Sequence, residues 1–217
     1  MMALDTASRE ALRQQLIRAA ETMGLLLTEQ QAAQLIAYLA MLFKWNKTYN
    51  LTAIRQPEEM LRKHILDSLS VIPFIKGENF IDVGTGGGLP GIVLAIMNPA
   101  CSFTLLDSNG KKTRFLFQVK AELSLPNVEV VNSRVEQYRP AKGFDGIISR
   151  AFSSLQQMHF WTQHLLAEGG CFFAMKGVYN QQEIDALPVG CCVTSQDLLV
   201  PGEEGERHLV IIEPKKQ

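Results

Sequence analysis

The chain has 217 residues, a formal net charge of -1 and a hydrophobic fraction of 47%. That length suits one ordinary domain with an extension, and the apolar share is enough for a sizeable core. Near-balanced charge excludes an indiscriminate polyanion binder but leaves room for a local basic surface.

The first segment, Thr6 to Met23, carries Leu12, Leu16, Ala19 and Met23 at helical spacing, with Gly24 as its stop. Met1–Gly24 is charged throughout, unlike a signal peptide. Thr28 and Gln31 form a capping-box pattern ahead of a second amphipathic helix with Leu35, Ile36, Leu39, Leu42 and Phe43. Lys44–Asn50 is polar and aromatic and is expected to leave that helix. Pro57, followed by Glu58 and Glu59, opens a third helix bearing Met60, Leu61, Ile65 and Leu69. This helix is expected to end before Pro73. Residues 1–76 are thus expected to form a helical extension packed on a core at 77–217.

At Asn79 the pattern changes to short apolar runs alternating with helical segments. Phe80–Val83 precedes Gly88–Met97, Phe103–Leu106 precedes Lys111–Leu123, and Val128–Val131 follows. Phe144–Ile148 then leads into Ser154–Leu166 and Cys171–Met175. Near-continuous apolar strands imply a mostly parallel sheet covered on both faces. Cys191–Val200 and His208–Glu213 are joined by a Pro/Gly-rich link with no helix, which predicts a C-terminal antiparallel hairpin and seven strands in all. Cys101, Cys171, Cys191 and Cys192 form no C-x-x-C pair and read as free thiols suited to a reducing cytoplasm. No stretch reaches the roughly 18–20 apolar residues that span a bilayer, so no membrane partner is expected. No metal-ligand cluster is seen either.

The chemistry concentrates in Phe80–Gly91, a buried strand, a glycine turn and a helix start. Gly86-x-Gly88-x-x-Gly91 satisfies the dinucleotide fingerprint, a weak signal alone. The more informative frame is Asp82-Val83-Gly84-x-Gly86-x-Gly88. A carboxylate there repels a pyrophosphate but suits an ammonium or sulfonium, and S-adenosyl-L-methionine carries both with no phosphate. The plain alternative is that Asp82 only orders the loop amides. Asp107, at the end of the second strand, sits where an acid bonds ribose hydroxyls, or else caps the next helix. Ser133–Glu136 follows the third strand and is placed to cover an adenine, with Val135 as a contact. Arg150 and Lys176 emerge at neighbouring strand ends and face the position of a second substrate. Lys111, Lys112 and Arg114, and Arg62–His64, are candidate phosphate contacts or solvated helix faces. Trp45 and Tyr49 either stack on a base or pack the extension onto the core. His64 and Asp67, three apart, are placed to bond one another in a structural role.

Asp82–Gly91, Thr104–Ser108, Ser133–Glu136 and Phe144–Phe152, with Asn50–Ile54 and His64–Leu69 in the helical part, resemble the RsmG (GidB) family, ribosomal RNA small subunit methyltransferase G. The resemblance covers roughly residues 35–180. It implies an α/β, Rossmann-like class I S-adenosyl-L-methionine-dependent methyltransferase fold with an N-terminal helical extension. It implies transfer of a methyl group to guanine N7 at nucleotide 527, in the 530 loop of 16S rRNA, giving 7-methylguanosine. The expected partner is 16S rRNA in the small subunit or its precursor, and the enzyme is expected to be a cytoplasmic monomer. The implied cofactor contacts are Gly84, Leu89, Val135, Glu136 and Arg150, with Asp107 on the ribose; Asp82, Gly86 and Gly88 join them from the loop. Lys111, Arg134, Arg150 and Lys176 are implied around the RNA and the reacting guanine. Two rivals remain at this point: an NAD-dependent oxidoreductase, and a non-catalytic cofactor-binding regulator or ribosome-assembly factor on the same fold.

Overall fold

The computed structural model describes residues 4–150, 152, 154–178 and 180–214. Ala151, at the end of the Asp145–Ala151 run, lies outside them, as do the first three and last three residues of the chain. Helix α1 (Thr6–Thr22) begins at Asp5, whose carboxylate accepts from the Ser8 N–H, and closes at Met23 before Gly24. The capping box forms as expected: the Thr28 hydroxyl and the Gln31 side chain serve each other's backbone N–H at the head of α2 (Glu29–Tyr49).

Helix α2 runs further than its sequence suggests. Lys44–Tyr49 stays helical, and Asn50 closes the helix in the left-handed region. Tertiary contacts explain why. Buried Asn46 donates to the Ile54 carbonyl and accepts from the Thr52 N–H, which ties the following loop to the helix. Trp45 stacks on Tyr49 at 5.1 Å and packs on Phe115 at 5.4 Å. The aromatic segment therefore packs α2 against Phe115, in the helix that follows the second strand, and not directly onto the sheet.

The third helix is not uniform. It comprises α3 (Pro57–Met60), a π-helical turn (Leu61–Leu66) and α4 (Asp67–Leu69). A 3₁₀ turn (Ile72–Phe74) then takes in Pro73, whose fixed φ fits the first turn of a helix.

The parallel strands are β1 (Asn79–Val83), β2 (Ser102–Asp107), β3 (Val128–Asn132), β4 (Phe144–Ser149) and β5 (Leu166–Lys176). The hairpin of β6 (Cys191–Asp197) and β7 (His208–Pro214) completes a seven-stranded sheet of order β3-β2-β1-β4-β5-β7-β6, with β7 antiparallel to both neighbours. Between them lie α5 (Gly91–Met97), α6 (Gly110–Glu122), α7 (Leu155–Thr162) and the short α8 (Gln181–Asp185). The order reverses between β1 and β4, and ligands of open α/β sheets bind outside the carboxyl ends of strands at such a switch point.

Two apolar layers cover the sheet. Phe80, Phe103, Leu105, Ile148 and Phe173 join α5, α6 and the extension in one continuous cluster with Leu12, Leu35 and Leu39. Ile81, Val83, Leu106 and Ile147 face the other way, onto Leu155 and Met158 of α7. The strand period of two thus puts Asp82, between Ile81 and Val83, on the α5 side. The extension also reaches the glycine loop: the hydroxyl of fully buried Tyr38 donates to the Gly87 carbonyl at 2.6 Å.

Tyr38→Phe leaves that carbonyl without its partner. It is expected to cost about 1–3 kcal/mol in urea unfolding; unchanged stability would show that water replaces the hydroxyl.

Candidate active site

The glycine loop is held by two carboxylates from adjacent strand ends. Asp82 is 1% exposed; its Oδ2 accepts from Thr85 Oγ1 at 2.7 Å and from the Gly91 N–H at 2.8 Å, while its Oδ1 has no hydrogen-bond partner among the described residues. Asp107 Oδ2 accepts from the Gly86 N–H at 2.9 Å and Oδ1 from the Asn109 N–H at 2.8 Å. The cap of α6 is Asn109, not Asp107. Gly88 lies beneath the loop: its φ is 95°, and a Cβ there would meet Ile92 at 2.6 Å and Leu116 at 2.8 Å. Only a residue without a side chain lets α5 and α6 close together at that point.

A cavity of about 340 Å³ opens at the ends of β1, β2 and β3. Gly84, Asp107, Lys112, Arg134, Val135 and Glu136 line it, with Phe152 across from them. Lys112 stands 3.5 Å from Asp107 and lines this cavity while remaining partly exposed. A second, smaller opening of about 220 Å³ lies on the other side of the loop. Gly84, Gly86 and Leu89 meet Thr52, His64 and Arg150 there. Lys111 and Arg114 are exposed on α6 and line neither opening.

Arg150 follows β4 on the α5 side of the sheet, where the extension waits for it. Its Nη1 donates to the Lys63 carbonyl and to Asp67 Oδ2, each at 3.1 Å, and its Nη2 lies 3.4 Å from His64 Nδ1. His64 and Asp67 therefore converge on Arg150 instead of bonding each other. His64 is held in turn by Thr52 Oγ1, 2.8 Å from Nε2, and Thr52 by Asn46. With Nδ1–H directed at the Lys63 carbonyl 3.0 Å away, Nε2 accepts from the Thr52 hydroxyl. Burial, and then the Arg150 charge, pull the His64 pKa down to about 4, so the ring is neutral. Burial pushes Asp67 up, against the pull of Arg150.

Lys176 shows what strand parity does. The pairing of Ile148 with Phe173 and Ser149 with Ala174 brings Arg150 abreast of Met175, leaving Lys176 one step further on. It reaches Glu183 Oε2 at 2.8 Å, and that carboxylate also takes the Leu155 N–H. Both cations still line a third cavity of about 360 Å³, together with Lys63, Asp67 and Arg207. Sequence reasoning did not single out Arg207 or Tyr38. The spacing of Glu203 and Arg207 was a faint signal, since Tyr38 sits unmarked within an apolar helix face and Arg207 ends a polar link.

The donor set fits S-adenosyl-L-methionine. Carboxylates already occupy loop amides that a pyrophosphate would need, and a buried acid beside the loop opposes a phosphate's charge. Asp107 and Glu136 stand with apolar Val135 and Phe152, which suits a ribose and an adenine.

A family model described as rRNA small subunit methyltransferase G matches residues 31–210. The chain belongs to this family. A ribosomal RNA small subunit methyltransferase G of Ectopseudomonas mendocina is 56% identical over 92% of this chain and 94% of its own length. The Photobacterium profundum protein of that name is 54% identical over 94% of this chain and 100% of its own. Solved structures share the fold at low identity. A SAM-dependent methyltransferase from Aquifex aeolicus gives a TM-score of 0.55 at 18% identity, over 71% of this chain and 92% of that one. A ribosomal protein L11 methylase from Lactobacillus delbrueckii subsp. bulgaricus gives 0.52 at 16%, over 69% and 77%. As a member of the methyltransferase G family the chain shows the sheet order, the acidic glycine loop and the arginine clamp together.

Two buried groups in this site titrate in opposite senses. Burial, partly offset by the Thr85 and Gly91 bonds, raises the Asp82 pKa from 3.8 to about 6. Its contribution to stability is full below pH 3.8 and is lost as pH rises through about 6. The contribution of His64 is full above pH 6.5 and is lost as pH falls through about 4. Unfolding curves from pH 4 to 7 should therefore tilt one way in Asp82→Asn and the other way in His64→Gln, relative to the parent. Parallel tilts would contradict these assignments.

Proposed function

We propose that the chain transfers a methyl group from S-adenosyl-L-methionine to N7 of the guanine at nucleotide 527 of 16S rRNA. In this reading it works in the cytoplasm as a monomer on the small ribosomal subunit or its precursor. Residues 77–217 form the methyltransferase domain and residues 1–76 its helical extension. The observation that carries the proposal is the position of Arg150, which lines both the opening at the glycine loop and the cavity beside it. A cofactor held on one side and a base held on the other would meet at that residue. The named relatives act on small-subunit rRNA by their description, which supports the choice of substrate.

When bound, S-adenosyl-L-methionine supplies an electrophilic methyl group on a sulfonium. Asp107 is assigned to the ribose hydroxyls, Val135 and Glu136 to the adenine side, and Gly84 and Leu89 to the wall. Asp82, Gly86 and Gly88 give the loop its shape, and Lys112 neutralises Asp107 from above. Guanine N7 has a lone pair and no proton, so the chain needs no general base. Its task is alignment, which supplies much of the rate in such reactions. The Arg150 guanidinium offers a rigid fork of donors for guanine O6, and the extension fixes the direction of that fork. Lys176, paired with Glu183, borders the same cavity. Arg134 and Lys112 line the cofactor cavity and Lys111 and Arg114 stand exposed on α6; all four are assigned to RNA phosphates.

The test uses labelled S-adenosyl-L-methionine and small subunits lacking the modification, followed by digestion and nucleoside analysis. Label on guanine N7 is expected, and label on another atom or base refutes the reading. Arg150→Lys keeps the charge but loses the fork, and kcat/KM at saturating cofactor should fall about 10- to 100-fold.

A further inference from the structure

The cavity of about 360 Å³ beyond Arg150 has walls of two kinds. Ile54, Met175 and Leu198 supply apolar surface, and Asp67, Arg150 and Arg207 supply a polar edge. Its cations are not waiting for an anion. Lys63 is paired with Glu59 at 2.8 Å, Arg150 with Asp67 at 3.1 Å and Lys176 with Glu183 at 2.8 Å. Arg207 has Asp67 at 3.4 Å and Glu203 at 3.9 Å. A phosphate entering here would have to pull a cation from its carboxylate. A flat, uncharged group with its own donors and acceptors would displace only the long Arg207 contact to Asp67, and Glu203 would still answer Arg207.

Asp67 is the informative wall. It is 4% exposed, and only its Oδ2 is engaged in a hydrogen bond, with Arg150. Among the described residues Oδ1 has no hydrogen-bond partner, because Arg207 Nε at 3.4 Å is poorly aligned with it. An unpaired buried carboxylate oxygen is costly, and a ligand with a well-directed N–H would relieve that cost.

The order of groups along the edge is Asp67, then Arg150, then the opening at the glycine loop. A guanine presents N2 and N1 donors, then the O6 acceptor, then N7, in the same order around its rim. We propose that this cavity seats the target guanine, with Asp67 accepting from N1–H and the 2-amino group while Arg150 donates to O6. N7 is then directed past Arg150 towards the glycine loop, and Met175 lies against the base. Arg207 yields Oδ1 to the base and stays on Glu203. The inference rests on the proposed guanine methylation and goes beyond it, because it names the residue that tells guanine from other bases.

Inosine keeps O6, N7 and N1–H but lacks the 2-amino group. Full-length enzyme is given small subunits reconstituted with guanosine or inosine at the target nucleotide, and methyl transfer is measured with labelled S-adenosyl-L-methionine. The parent enzyme should favour guanosine by about 10- to 100-fold in kcat/KM, the size of one hydrogen bond to a charged acceptor. Asp67→Asn should slow guanosine and bring the ratio near one. A parent ratio near one overturns the proposal whatever the variant does. A variant that slows both substrates equally, keeping the ratio, also overturns it, since Asp67 then only holds Arg150. Absence of label on guanine N7 with guanosine subunits removes the functional reading, and this inference with it.

Discussion

Two carboxylates gripping one loop set the geometry on which the rest of the site depends. Asp82 holds the Gly91 N–H and the Thr85 hydroxyl, and Asp107 holds the Gly86 N–H. Both sit at the ends of neighbouring parallel strands, so the sheet fixes their spacing. Nearly buried, they make strong bonds to backbone N–H groups at the cost of desolvation. For Asp82 that cost raises the pKa to about 6. The loop is thereby shaped before any ligand arrives, which is the preorganisation a cofactor site requires.

The extension takes part in the same construction. Tyr38 holds the loop from above, and Leu42 and Leu51 stand over Gly87. Asn46 holds Thr52, Thr52 holds His64, and the His64 ring packs beside the Arg150 guanidinium. Neutral His64 can stand beside the guanidinium without repulsion, while Asp67 answers its charge. A strongly held arginine loses little freedom when a substrate arrives, so more of its bonding counts toward binding.

Much of the fold was legible because its signals are local. Strand runs, glycine turns and the capping box at Thr28 and Gln31 follow from residue type and spacing. The glycine loop and Asp107 could be placed at strand ends for the same reason. What escaped was tertiary. Helix α2 passes through Lys44–Tyr49 because Asn46 ties down the loop that follows it and Trp45 packs on Phe115 far along the chain. The break of the third helix into a π turn left no mark in its apolar spacing. Arg150 and Lys176 looked equivalent as cations at adjacent strand ends. Strand parity separates them, and only the packing of Glu183 and Asp67 shows which acid each one meets. Arg207 arrives from a hairpin link whose return to the site no periodicity records.

The π turn at Leu61–Leu66 acts as a counted insertion. In an α-helix each residue turns the chain by about 100°, so one residue more or fewer swings all that follows to a new face. Lys63 offers its carbonyl to Arg150 from within this turn, and Asp67 comes immediately after it. A one-residue shortening that restored an ordinary helix would raise local regularity. It would also carry Asp67 away from Arg150 and detach the extension from the sheet's switch point. The length of this segment is therefore constrained as well as its composition, whose Leu61, Ile65 and Leu66 are buried in the core.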